Sequence, residues 1–77
     1  MIEQILQEKG YAERLHPDWP DDLIHAVAIV AEESGEAVRA ALNHIYHGGS
    51  IGEVRTELIQ TAATCLRALE HIDGGKK

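Results

Sequence analysis

Apolar side chains recur along this chain at steps of three and four, the spacing of one helix face. Ile2, Ile5 and Leu6 begin the pattern and predict a short N-terminal helix, which Gly10 is expected to end or weaken. His16-Pro17-Asp18-Trp19-Pro20 then interrupts the periodicity. A long helix is expected from Asp21 to about Tyr46, with Pro20 tolerated at its start and Asp21 and Asp22 suiting its positive end. Val27, Val30, Ala31, Ser34, Val38, Ala41 and Ile45 trace an apolar face on it. Gly48 and Gly49 can supply the left-handed residue that closes it. Ser50 and Glu53 read as a capping box, opening a third helix from Ile51 to about Ile72. Its stripe is Val54, Leu58, Thr61, Ala62, Cys65, Leu69 and Ile72. No segment alternates with a period of two for long enough to argue for a strand, so the expected class is all-α.

Residues 1–77 thus read as one all-α domain: an N-terminal segment 1–20, long helices 21–47 and 51–73, and a frayed tail from Gly74 to Lys77. The short Gly48-Gly49 connection makes the long helices an antiparallel hairpin. Composition limits what that hairpin can do alone. Ten residues are Ala, Phe is absent and there is one Trp, so the apolar side chains are small. A chain this short struggles to build a self-sufficient core. Each long helix also has an apolar face wider than one antiparallel partner can cover. Two hairpins from two chains could close a four-helix bundle, and a homodimer or homotetramer is the expected partner arrangement.

Charge and cysteine content narrow the function classes. Seven Lys and Arg against thirteen Asp and Glu leave a formal charge of -6, which argues against nucleic-acid binding. Cys65 is the only cysteine, so disulfides do not replace the missing core. The longest uninterrupted apolar run, Ala26 to Ala31, is far short of the ~20 residues that span a bilayer. Met1-Ile2-Glu3-Gln4 lacks the basic start of a signal peptide. A cytoplasmic protein with no membrane partner is the expectation.

The informative residues are acids that intrude on apolar faces. With ~100° per residue and Val30 at zero, Glu33 falls near 300°, bracketed by Ala26, Ala37, Ala40 and Ile29. Glu36 lies at the border of that face, and Glu32 lies toward the polar side with Asn43 and Arg39. On the third helix Glu57 falls between Thr61, Ala68 and Thr64, with Gln60 at the edge. Antiparallel pairing puts Glu33 and Glu36 within reach of Glu57 and Gln60 if the two faces meet. Carboxylates gathered on one inner face repel each other and lose hydration, which drives each toward its neutral form. A divalent cation removes both penalties, and an all-oxygen donor set suits Mg²⁺ or Mn²⁺ rather than zinc. Periodicity alone leaves a solvated acidic face equally open.

Glu32-Glu33-Ser34-Gly35-Glu36 resembles the EExxE motif of the MazG-like, all-α nucleoside triphosphate pyrophosphohydrolases. Glu57-Leu58-Ile59-Gln60 stands where that family carries ExxD, after a gap of a length the family uses. The stretches around Tyr46 to Ser50 and Glu57 to Ala63 are similar to short phage-type and mobile-element-type members, and the resemblance covers about Asp22 to Glu70. It implies a Mg²⁺-dependent hydrolase that converts an NTP or dNTP and water to the monophosphate and pyrophosphate, in a house-cleaning role. By motif match, Glu33, Glu36 and Glu57 become the metal ligands, Gln60 occupies the position of the ligand Asp, and Glu32 serves a second ion or the attacking water. Such ions screen the triphosphate and polarise a phosphoryl group. They also let an acidic protein bind an anion. Gln60 departs from the pattern: an amide oxygen can ligate Mg²⁺ but brings no charge, which weakens metal binding. The alternative is a non-catalytic oligomeric helical module that keeps the fold and has lost activity.

Other residues carry weaker signals. Trp19 is a candidate for stacking on a base, or an anchor for the N-terminal segment. His44 and His47 have the spacing of a transition-metal pair, or place favourable charge at a helix C-terminus. Cys65 is expected as a buried structural thiol.

Overall fold

The computed structural model describes residues 1–74, so the tail expected beyond Gly74 lies outside the described residues. Three α-helices follow one another, α1 (Ile2–Leu15), α2 (Leu23–His47) and α3 (Ile51–Asp73), and the described residues contain no strand. Among them no helix is long and apolar enough to cross a membrane.

The helix ends are set by local chemistry, in places other than expected. α1 runs through Gly10 rather than ending there. Gly10 costs a helix interior about 1 kcal/mol relative to Ala, and packing outweighs it. One residue away, Lys9 reaches Glu13 at 3.1 Å along α1 and Glu70 of α3 at 2.9 Å. The helix stops instead at His16, whose backbone (φ -134°, ψ 76°) leaves the α region that a following proline disfavours. α2 begins at Leu23, leaving Pro20 and Asp21 outside, because the Asp22 carboxylate accepts the His25 amide at 3.1 Å and caps the helix there. At the other end Gly48 adopts φ 75°, and the Gly49 amide donates to the Asn43 carbonyl at 2.9 Å. Gly48 is favoured there by its positive φ, and a Cβ on Gly49 would sit tightly, 3.2 Å from the Asn43 Cβ. Ser50 then caps α3 by accepting the Glu53 amide at 3.1 Å.

α3 packs against both α2 and α1. Among the described residues, all of the buried ones are alanine: Ala26, Ala37 and Ala40 on α2, Ala63 and Ala68 on α3. This corrects the stripe expected on α2. Val27, Val38 and Ile45 are 54%, 60% and 68% exposed, because the hairpin closes on the alanine face beside them. Alanines let two helices approach closely, and the branched side chains, about 100° further round, are turned outward. α3 behaves similarly: Leu58, Leu69 and Ile72 of its expected stripe are exposed, while Thr61, Ala62 and Cys65 are half-buried. Cys65 is therefore less buried than expected.

Polar ties fasten α1 and the following loop to α3. Arg55 donates to Gln4, and Arg67 donates to the His16 carbonyl at 2.8 Å. His71 meets Asp21 at 3.3 Å. These ties and the alanine seam leave sixteen large apolar side chains exposed among the described residues. Each unburied Val, Leu or Ile forgoes about 1.5–3 kcal/mol.

Candidate metal centre

The alanine seam places three acids together. Ala37 and Ala40 on α2 and Ala63 on α3 are buried within about two turns of Glu33, Glu36 and Glu57. Glu33, Glu36 and Glu57 each offer a carboxylate oxygen, and these oxygens lie within 4.8 Å of one another. Glu36 is exposed, whereas Glu33 and Glu57 are half-buried. One oxygen of each half-buried acid, Oε1 of Glu33 and Oε1 of Glu57, is sealed from solvent and has no hydrogen-bond partner.

The neighbouring hydroxyls cannot relieve them. Thr61 Oγ1 donates to the Glu57 carbonyl and Thr64 Oγ1 to the Gln60 carbonyl, both at 2.8 Å, so each hydroxyl proton is already committed to its own helix. No ion pair among the described residues engages Glu33, Glu36 or Glu57. Burial, above all, pushes the Glu33 carboxyl above the usual carboxylate range, followed by the charges of Glu36, Glu57, Glu32 and Glu8. Glu57 is raised in the same direction by burial first, then by the charge of Glu36 and a side-chain hydrogen bond with it, and by the charge of Glu53. Both shifts have the causes anticipated for acids on an inner face, desolvation and like charge.

The donor set fits a hard divalent ion. Carboxylate oxygens with no imidazole or thiolate among them suit Mg²⁺ or Mn²⁺, and two unpartnered oxygens are free to ligate. Gln60 lines a groove of about 210 Å³ that it shares with Glu33. Glu32 is exposed on the flank. It lines a second groove, about 280 Å³, that also touches Glu33, Trp19 and Arg67.

Trp19 is half-buried, with the Arg67 guanidinium 4.8 Å from its ring centroid and its indole nitrogen sealed without a partner. It also borders an apolar cavity of about 270 Å³ with Pro20, Leu23, Ala26 and Ala68. The His44 ring nitrogen Nδ1 donates to the Gly49 carbonyl at 2.8 Å, so His44 straps the turn and His47 stands exposed.

One residue of the region escapes the motif-based reading. Glu8 of α1 lines the 210 Å³ groove with Glu33 and Gln60. The signal was present: Ile5, Glu8, Ala12 and Leu15 follow one another at steps of three and four, so Glu8 intrudes on an apolar face as Glu33 does. The chain matches no protein-family model, no curated protein and no solved structure.

Proposed function

We propose that this chain is a Mg²⁺-dependent nucleoside triphosphate pyrophosphohydrolase, acting as a homo-oligomer on an NTP or dNTP to release the monophosphate and pyrophosphate. The observation that carries the reading is the convergence of Glu33, Glu36 and Glu57, two of them with a sealed oxygen that lacks any partner. A carboxylate oxygen sealed without a partner disfavours the charged form, and a divalent cation offsets two of the three negative charges that meet here.

In this reading Glu33, Glu36 and Glu57 hold Mg²⁺, or Mn²⁺ in its place, with the Gln60 amide oxygen beside them. The bound cation supplies charge compensation for the triphosphate and polarises a phosphoryl oxygen. Glu32, exposed on the same helix, orients and deprotonates the water that attacks the α-phosphorus as the bond to pyrophosphate breaks. The groove from Glu32 to Trp19 and Arg67 offers the nucleoside a place, with the indole as a stacking surface and the guanidinium as a charge near the phosphates. The outward apolar faces of α2 and α3 supply the surface for a second chain and a four-helix core. A lone cysteine and a net acidic charge agree with a cytoplasmic setting free of nucleic acid.

The test is pyrophosphate release over a panel of NTPs and dNTPs, with Mg²⁺ and with Mn²⁺. The wild type is expected to release it and Glu36→Gln to lose most of that rate. Equal background from both removes the enzyme. The neutral amide at Gln60 favours a second reading, a helical module that keeps the assembly and has lost catalysis. That module would give no release in either protein.

A further inference from the structure

We propose that Arg67 of α3 is the positioning residue for base recognition: it fixes the Trp19 indole at the nucleoside groove, and the base senses it through that ring. The inference rests on the nucleotide reading above and deepens it. The segment from His16 to Asp22 joins α1 to α2. Pro17 and Pro20 have no amide hydrogen to donate, and no backbone hydrogen bond joins one residue of the segment to another. Two side chains of α3 fasten it instead. Arg67 donates to the His16 carbonyl at 2.8 Å, and His71, one turn further on, meets Asp21 at 3.3 Å.

Trp19 lies between those two points. Its indole nitrogen is sealed from solvent and has no partner, so no hydrogen bond of its own orients the ring. Space is open around it: grooves of about 280 Å³ and 420 Å³ and the apolar cavity of about 270 Å³ all border Trp19. The polar group that does hold the ring is the Arg67 guanidinium, 4.8 Å from its centroid. Glu70, one turn from Arg67, is engaged by Lys9 at 2.9 Å and does not draw the guanidinium away. An arginine suits both tasks, because a planar guanidinium carries its donors in a rigid fork and stacks on aromatic faces. A base that meets a ring already fixed loses less freedom on binding. A lysine in this place would keep the charge and lose the fork and the plane, so it separates positioning of the indole from attraction for the phosphates.

The experiment compares the wild type with Arg67→Lys by calorimetric titration in Mg²⁺. The probes are a nonhydrolysable nucleoside triphosphate and inorganic triphosphate, which has no base. Arg67→Lys is expected to bind the nucleotide about tenfold more weakly, the scale of one base–aromatic stacking contact, and to bind inorganic triphosphate within about twofold of wild type. In a Trp19→Ala background the lysine should have no further effect, because the two residues act as a unit. Trp19 is the only tryptophan of the chain, so its fluorescence reads the ring with no ligand present. Emission from Arg67→Lys should move to longer wavelength with helix content kept. Arg55→Lys, which alters the tie from α3 to Gln4, should leave the emission where it is.

Equal losses for the two probes put the guanidinium on the phosphates themselves and overturn the positioning role. A loss that persists in full without Trp19 overturns it too, as does an unchanged emission spectrum in Arg67→Lys. A wild type that binds the nucleotide no better than inorganic triphosphate has no base site and sinks the inference. A wild type that meets every binding expectation yet releases no pyrophosphate removes the catalysis proposed above and leaves Arg67 in its role.

Discussion

Glu33 and Glu57, on antiparallel helices, each keep one carboxylate oxygen sealed from solvent with no hydrogen-bond partner, within reach of the exposed Glu36. A seam built only of alanine brings them this close. Larger residues there would hold the helices further apart and give each acid its own water.

The metal-free protein should lose stability as pH rises. Glu33 and Glu57 both have carboxyl groups raised above the ordinary value, burial being the leading cause for each. The native state therefore holds protons that the unfolded chain has already released. Their contribution is fully present below the ordinary carboxylate pKa and disappears as pH climbs through the raised values. In EDTA, thermal melts at fixed protein concentration should show Tm falling across that window, with a shallower fall in Glu33→Gln. A Tm that rises there in the wild type, with no change of slope in Glu33→Gln, contradicts the assignment.

Replacing Glu33 with leucine should separate a cation site from a merely tolerated acid. Without metal, Glu33→Leu exchanges an uncompensated charge for packing and should stabilise the fold by about 1 kcal/mol, a Tm increase of about 4–8 °C. With Mg²⁺ at about 100 times its Kd, the wild type should gain about 2.7 kcal/mol and the variant much less. Equal responses to Mg²⁺ in both proteins would place the ion elsewhere or nowhere.

The outward face of α2 should be an interface. Val27, Val38 and Ile45 lie exposed on one side of that helix. Light scattering is expected to give a multiple of the chain mass. Val38→Asp should shift the population to monomer and lower stability by about 2 kcal/mol, the worth of one such side chain on burial. A wild type that is already monomeric at micromolar concentration, with Val38→Asp equally stable, removes the oligomer.

Much of the helical layout was legible in the residue order, because helix ends are decided by neighbours. Ser50 accepts the Glu53 amide and Gly48 takes the left-handed turn, as their places before and after apolar runs imply. Glu33, Glu36 and Glu57 stood out because each interrupts or borders an apolar face, and the same arithmetic reaches Glu8 once applied to α1.

What the chain alone could not decide is which of two adjacent apolar faces a helix turns inward. On α2 the valine face from Val27 to Val38 and the alanine face from Ala26 to Ala40 are about equally eligible by periodicity. Only the partner surface of α3, with Ala63 and Ala68, selected the alanines. Gly10 shows the same limit, for its local cost is outweighed by α1 lying against α3. Local sequence determines where backbone hydrogen bonds begin and end, since those partners are a few residues away. Tertiary structure alone determined the facing surfaces and the meeting of Glu33, Glu36 and Glu57, because burial and charge depend on residues far apart in the chain.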